Sequence, residues 1–313
     1  MKKLISLALL LLCVAPAYSQ SLKRTADPAE RGYKDSDFPR VQKIAPNVYT
    51  YEAVVGRPEE RYTTNSLFVV TSEGVLVADG QGSPEALRLM FAAIAKVTPQ
   101  PVRVMVMCSD HGDHTNGNTV LPTGVELLAH PNSKANLERQ ANAPNRSPTA
   151  AKIVMPTSLV ADKRVIKMGG TEIQIQFLGR AHTGGDLVVY LPKERVLFST
   201  EIYLNHLFPA FRSAFPSEWM QVFAKLEKIN ARMVIPGHGF VDDGKTLKEE
   251  LKAYIQATRF VIAEATRLHK AGVPVEEAVK QAKWGDYASW SGSASQGPIA
   301  IRRVYDELDG KLK

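Results

Sequence analysis

The chain has 313 residues, 39 Lys plus Arg against 32 Asp plus Glu, a formal charge of +7, seven His and two Cys. At 44% apolar residues it can build a large core and is no disordered tail; at 23% charged residues with ordinary Gly and Pro it is neither fibrous nor low-complexity. Two Cys cannot make a disulfide framework or a four-Cys zinc site, and the length suits one large domain or two small ones.

The basic start Met1-Lys2-Lys3, the apolar run Leu4 to Val14 and the small residues before Ser19 have the order of a secretory signal peptide, residues 1–19, cut after Ser19. The run is shorter than the roughly 20 residues a bilayer needs, which disfavours a membrane span. Leu12 precedes Cys13 where a lipoprotein requires a small residue. The expected location is periplasmic or secreted. Cleavage removes Lys2 and Lys3, lowering the charge from +7 to +5, and leaves Cys108 as the one thiol. Basic residues are not clustered with aromatics, so no nucleic-acid footprint is present.

Residues 20–46 read as a polar arm, 47–243 as the core and 244–313 as a helical extension packed on it. Val48 to Tyr51 and Ser66 to Val70 are strand-like, and Gly74 to Gly80 completes a hairpin that carries Asp79. Ser83-Pro84-Glu85 opens a helix running to about Lys96. Val102 to Met107 is a buried strand, followed by a helix near Val120, a strand at Val125 to Ala129 and a helix-prone stretch from Asn132 to Asn142. Strands follow at Glu172 to Leu178, Leu187 to Leu191 and Val196 to Phe198, then a helix from Ser217 to about Asn230. Leu247, Leu251, Tyr254, Ile255, Val261 and Ile262 recur at helical spacing, with Gly272 as a stop. Val275 to Ala282 and Ile299 to Leu308 are further helices. Strands leading each half, with helices between and after them, predict an α/β fold of two sheets sandwiched by helices.

Four apolar strands run into loops bearing His, Asp or Glu: His111, Asp113 and His114 after the first, then His182, Glu201 and His238. Loops at one sheet edge converge, and imidazole nitrogen and carboxylate oxygen are zinc ligands. Two Gly-flanked turns, Gly184-Gly185 and Gly237-His238-Gly239, accompany them, and two metals are plausible there. His130, His206 and His269 stand apart and read as structural.

Asp110-His111-Gly112-Asp113-His114-Thr115-Asn116-Gly117-Asn118 resembles the His-x-His-x-Asp-His signature of the metallo-β-lactamase-fold hydrolases. Gly179 to Asp186, Val196 to Glu201 and Ile235 to Gly239 resemble that family's third, fourth and fifth motifs, and the hairpin ending at Asp79 its first. The resemblance implies a four-layer αββα sandwich, here with a helical C-terminal extension, and Zn²⁺ at one edge. It implies metal ligands His111, Asp113, His114, His182, Glu201 and His238, with Asp113, His111 and His114 catalytic.

Two departures follow from the same motifs. Ser109 stands where the first His of the signature is expected, and Glu201 where Asp or Cys is usual. Asp113, His114 and His238, with Glu201 available, make a full set; His111 and His182 lack a third imidazole. One tight zinc and one weak or conditional zinc are therefore expected. Zinc lowers the pKa of its water from 15.7 toward about 7, so the implied reaction is attack of a zinc-bound hydroxide on a small carbonyl substrate: a β-lactam, lactone, ester or thioester. The alternative is a degenerate member that binds metal or ligand without efficient turnover. Leu207, Phe208, Phe211 and Phe215 are placed either as an apolar wall over the cleft or as core.

Overall fold

The structure, a computed structural model, describes residues 23–147, 150 and 152–312; residues 1–19, expected from the sequence to be a signal peptide, lie outside them. The first sheet runs β1 (Arg40–Ala45), β2 (Val48–Arg57), β3 (Glu60–Thr71), β4 (Gly74–Ala78), β5 (Val102–Val106), β6 (Glu126–Ala129) and β7 (Ser158–Leu159), in that spatial order. The second contains β8 (Lys163–Met168), β9 (Thr171–Phe177), β10 (Leu187–Leu191), β11 (Val196–Phe198) and β12 (Met233–Ile235), also in sequence order across the sheet. Pairing is antiparallel from β1 to β4 and parallel from β4 to β7. In the second sheet β8 to β11 are antiparallel and β12 joins parallel to β11.

The side-chain alternation of a strand builds the layers. Along β3, Leu67 and Val69 enter the core between the sheets, with Ile173, Ile175 and Val188 from the second sheet. Phe68, between them, faces the other way onto a separate cluster with Leu87, Met90 and Ile94 of helix α1 (Pro84–Val97). After the four-residue α2 (Gly112–Thr115), α3 (Pro131–Ala141) adds Leu137 to that outer cluster. The second sheet is covered by α4 (Pro216–Leu226), α5 (Gly244–Lys270), α6 (Val275–Gln281) and α7 (Ser293–Leu308). The result is the αββα sandwich with a helical C-terminal region. Among the described residues no helix is long and apolar enough to cross a membrane.

Local chemistry explains the boundaries. Ser83 caps α1 by accepting from the Ala86 amide at 3.1 Å, with Pro84 at the first helical position. Asp243 caps α5, whose Leu247, Leu251, Tyr254 and Val261 are buried. Gly272, at φ +71°, follows its end.

Several expectations are corrected. Residues 40–45, assigned to the polar arm, form edge strand β1, whose side chains are mostly half-buried and so carry little apolar signal. The helix near Val120 is the short α2 followed by a 3₁₀ turn, Asn116–Val120. The helix expected to reach Asn230 ends at Leu226, and that expected from Ile299 begins at Ser293. Edge strand β8 was not anticipated, because Lys163, Val165 and Lys167 face solvent.

The arm that precedes β1 packs tightly. Arg31 makes a paired ion bond to Asp242, at 3.1 and 2.7 Å, and lies 4.3 Å over the Phe240 ring. Tyr33 stacks on the same ring at 5.3 Å. These contacts clamp the segment just after His238.

Candidate metal centre

All the loops in question leave the same edge of the sandwich. Asp79 ends β4, Ser109 to His114 follow β5, His182 precedes β10, Glu201 follows β11 and His238 follows β12. Asp79, at φ +61°, is the organising residue beneath them. Its Oδ1 accepts from the amides of Cys108 at 2.7 Å and Ser109 at 3.2 Å, and its Oδ2 from the Thr200 hydroxyl at 2.6 Å. Thr200 also has positive φ, at +45°. Two non-glycine residues in this costly conformation are therefore bound to each other at the edge of the site. Gly237 is required for close approach: its amide bonds the Thr200 carbonyl at 2.7 Å, and a Cβ there would stand 2.6 Å from the Thr200 carbonyl carbon.

The six residues expected as ligands come together in two groups that share Glu201. Asp113, His114, Glu201 and His238 form one; His111, His182 and Glu201 form the other; within each, the ligand atoms lie within 4.8 Å of one another. In the first, His114 Nε2 and His238 Nε2 are 3.2 Å apart, and Asp113 Oδ2 is 3.2 Å from His238 Nε2 and 3.6 Å from His114 Nε2. In the second, His182 Nε2 and His111 Nδ1 are 3.1 Å apart. Glu201 Oε1 lies 3.1 Å from His182 Nε2 and 3.4 Å from His238 Nε2; its Oε2 lies 3.1 Å from His111 Nδ1. The extra methylene of Glu therefore lets this carboxylate reach both groups.

This arrangement fits zinc. Tetrahedral ligands at about 2.0–2.1 Å from the ion stand roughly 3.3 Å apart, close to the observed nitrogen spacings. Four buried imidazoles turn ring nitrogens toward one another and toward two carboxylates, where a cation would satisfy all of them. Three of the four outward nitrogens face a polar atom, while His182 Nδ1 is buried without a hydrogen bond. His238 Nδ1 faces the Thr63 carbonyl at 3.2 Å, His111 Nε2 faces Ser213 Oγ at 3.2 Å, and His114 Nδ1 is 3.3 Å from Asp79 Oδ2. Such partners fix ring orientation.

Ser109 fills the place of the missing imidazole differently. Its hydroxyl donates to Glu201 Oε2 in a short hydrogen bond and accepts the His111 amide at 3.3 Å. It tethers a candidate ligand. The second group thus has two imidazoles and a shared carboxylate, the first two imidazoles and two carboxylates.

Without a metal, protons supply the positive charge. Burial works against a charged His238, yet hydrogen bonds to Asp113 and Glu201 push it up to about 10. Burial likewise opposes His114, but Asp113, Asp79 and Glu201 raise it to about 9. Against their own burial, Asp113 is held low chiefly by His114, and Glu201 chiefly by His182 and His111. His114 and His238 carry protons at pH 7.5, Glu201 raises His111 as well against its burial, and zinc binds neutral imidazole. Zinc added to the stripped chain at pH 7.5 is expected to displace about two protons, and its affinity to climb as pH rises through about 9 to 10. Calorimetric titration in two buffers of different ionisation heat measures this; no displaced proton would contradict it.

Five of the six candidate ligands, all but the fully buried His114, line a cavity of about 580 Å³. Its far wall comes from the C-terminal region, with Ser291, Gly292, Ser295, Gln296 and Ile299, and its lip from the β2–β3 hairpin. The Glu60 carboxylate of the hairpin accepts from Ser295 Oγ at 3.2 and 3.3 Å, joining lip to wall. Tyr62 meets the His238 ring edge-on at 5.3 Å; burial, with Asp113 and Glu201 nearby, pushes its hydroxyl up to about 12. Of the four residues considered for an apolar wall, Leu207 and Phe208 line the cavity. Phe211 is fully buried against Trp219, and Phe215 packs under Arg180 and Arg303.

The remaining histidines are outside the cavity lining. His130 caps α3 and bonds the Ala161 carbonyl at 3.1 Å; His206 pairs with Glu250 at 3.0 Å; His269 pairs with Asp309 at 2.9 Å. Sequence reasoning missed Tyr62, Thr63, Thr200 and Ser213, which reach the site through tertiary folding and carry no spacing signal.

The sequence pattern of the Metallo-beta-lactamase superfamily matches residues 60–238, more than half of the chain. The chain belongs to that superfamily. A curated relative, the type 2 metallo-beta-lactamase of Elizabethkingia meningoseptica, is 24% identical over 238 residues, covering 74% of this chain and 88% of the relative. Among solved structures, a metallo-beta-lactamase from Pontibacter korlensis superposes with a TM-score of 0.60 at 22% identity, covering 69% of this chain and 98% of the other. The stereoselective inverting sec-alkylsulfatase Pisa1 from Pseudomonas sp. superposes with a TM-score of 0.67 at 17% identity, covering 87% of this chain and 50% of the other. At these identities the structural likeness shows the fold. The superfamily's relatives are metallo-hydrolases, and this chain carries clustered side chains able to hold metal.

Proposed function

We propose that the protein is a zinc-dependent hydrolase of a small carbonyl substrate, a β-lactam, lactone, ester or thioester. The observation that carries this reading is the convergence of Asp113, His114, His238, His111 and His182 on the shared Glu201 at the floor of the cavity. Asp113, His114, Glu201 and His238 would hold the tight ion, His111, His182 and Glu201 the weaker one. Zinc bound there supplies a Lewis acid and a water acidified toward a pKa of about 7. Asp113 stays ionised, and its side chain is 39% exposed beside buried ligands, so it can accept a hydrogen bond from water and aim it at the substrate. Tyr62, protonated at neutral pH, is a donor for the oxygen that gains charge in the transition state. The apolar start of the chain and the wall of Leu207 and Phe208 suit an exported enzyme acting on a partly apolar molecule.

A zinc-stripped mature chain, reloaded and offered nitrocefin, aryl esters, lactones and thioesters, tests the reading. Turnover of at least one class that is lost on chelation supports it. Metal binding with no turnover on any of them would favour the second reading, a metal-binding member without efficient catalysis, which Ser109 motivates.

Ser109 makes a further prediction. Dialysis of the wild-type chain against a weak chelator is expected to leave about one zinc per chain. Ser109→His, which supplies a third imidazole to the His111–His182 group, is expected to retain nearer two. Elemental analysis reads both; two equally retained zincs in the wild type would contradict the unequal pair.

A further inference from the structure

The loop after Glu201 turns on a histidine that the metal centre does not use. His206 has φ +61°, a costly conformation for a residue with a Cβ, and it is not part of the cavity lining. Its Nδ1 donates to Glu250 Oε2 at 3.0 Å, and its ring stacks on Trp290 with centroids 4.9 Å apart. Glu250 is buried on α5 and is also bound by Arg24 of the N-terminal arm, whose other nitrogen reaches Glu249 at 3.0 Å. Trp290 is braced in turn by Tyr287, edge-on at 5.2 Å. One imidazole thus joins α5, the arm and the segment that leads into α7. Its partners Arg24, Glu250 and Trp290 all lie outside residues 60–238, so the superfamily pattern does not include this arrangement.

On each side of His206 the backbone is stitched to another segment of the cavity. On the N-terminal side, Leu204 bridges His238, and the Asn205 amide donates to the His238 carbonyl at 2.8 Å. On the C-terminal side, Leu207 bridges Ser291, and the Phe208 amide donates to the Ser291 carbonyl at 2.8 Å. Leu204, Leu207, Phe208 and Ser291 all line the cavity. The Leu207–Ser291 bridge ties the C-terminal wall to the apolar wall, and it is isolated rather than part of a sheet. The stack of His206 on Trp290 lies directly beside it, because His206 precedes Leu207 and Trp290 precedes Ser291.

We propose that His206 is a positioning residue: with Glu250 and Trp290 it locks Leu207 and Phe208 to Ser291, and so fixes the wall that receives an apolar part of the substrate. Arg24, bound to the other oxygen of Glu250, extends the lock to the N-terminal arm. The role at the wall rests on the cavity being the substrate site, whereas the lock itself is a property of the fold. Losing the imidazole removes a hydrogen bond to a buried carboxylate and a stacked ring, and leaves the bridge beside them to hold the wall alone.

Deuterium exchange read by mass spectrometry, on the chain with and without zinc, tests the lock apart from turnover. His206→Ala is expected to speed exchange about tenfold in peptides covering residues 204–208 and 287–296. His206→Gln, which keeps a donor for Glu250 and a flat group against Trp290, is expected to restore part of the protection, and Arg24→Gln to lose part of it. His269→Ala is the matched control: His269 pairs with Asp309 at 2.9 Å and meets Tyr305 edge-on at 4.8 Å, yet lies outside the cavity lining. It is expected to leave both peptides as in the wild type. With aryl esters, His206→Ala is expected to raise KM for 4-nitrophenyl decanoate about fivefold with kcat nearly held, and KM for 4-nitrophenyl acetate less, with zinc retention unchanged. Unchanged exchange in His206→Ala, or equal acceleration in His269→Ala, would overturn the lock. Loss of zinc, or a fall in kcat with KM held, would show the residue acting through His238 and overturn its role at the wall. If no ester is turned over, the exchange result still decides the lock, so its failure and that of the hydrolase reading are told apart.

Discussion

Asp113→Ala is expected to lower kcat/KM by at least about 10³ and to release most of the retained zinc. Two effects combine. The tight group loses one of its two carboxylates, leaving His114 and His238, 3.2 Å apart, with Glu201 alone to balance the ion. A charged ligand of this kind supports several kcal/mol of transition-state stabilisation, and each 1.36 kcal/mol is tenfold in rate. The half-exposed carboxylate that accepts a hydrogen bond from water is removed at the same time. Asp113→Asn separates the parts: it keeps the shape but loses the charge, and is expected to retain some zinc while still losing most activity. Steady-state kinetics with elemental analysis reads both variants. Wild-type kcat/KM in Asp113→Ala would remove the residue from the mechanism.

Trp219→Ala is expected to be the most destabilising single truncation near the site, at about 3–5 kcal/mol, with Tm lower by roughly 10 °C. Trp219 is fully buried on α4. Its indole N–H donates to the Ile202 carbonyl at 3.1 Å, just past Glu201, and its ring meets His182 edge-on at 5.5 Å. Phe211, Phe223 and Tyr254 complete an aromatic cluster around it. Removing it leaves a cavity between the second sheet and its helices, and an unpaired carbonyl beneath a metal ligand. The weaker metal group, which depends on His182, is expected to lose affinity along with the fold. Thermal unfolding of the zinc-stripped variant isolates the packing effect; a change under about 1 kcal/mol would show that the cluster repacks.

The sequence made some of this legible for plain reasons. Buried strands such as Leu67-Phe68-Val69 and Val104-Met105-Val106 have apolar side chains on both faces, because each face has its own core. Ser83-Pro84 carried its capping chemistry in the residues themselves. The six candidate ligands were readable because they lie in segments next to strand ends, and strand ends at one sheet edge meet. What escaped reading was set by neighbours distant in sequence. β8 shows its charged side chains to water, so its strand period is faint. Tyr62 lies within β3 and has no distinctive spacing; it matters because the loop of His238 folds back against it. Ser109 was read as a lost ligand, while its bond to Glu201 gives it a positioning task that requires both loops in place. The long α5 was anticipated from its apolar face, yet the way α7 closes the cavity through Ser295 and Glu60 depends on contacts 235 residues apart.

The most direct test of the account is the hydrolysis rate of the stripped chain, followed as zinc is added in steps of a fraction of an equivalent. Activity is predicted to appear with the first equivalent, taken by Asp113, His114, Glu201 and His238, and to change only at higher free zinc as the His111–His182 group fills. No activity at any loading, or a rise that requires two equivalents bound with equal affinity, would contradict it.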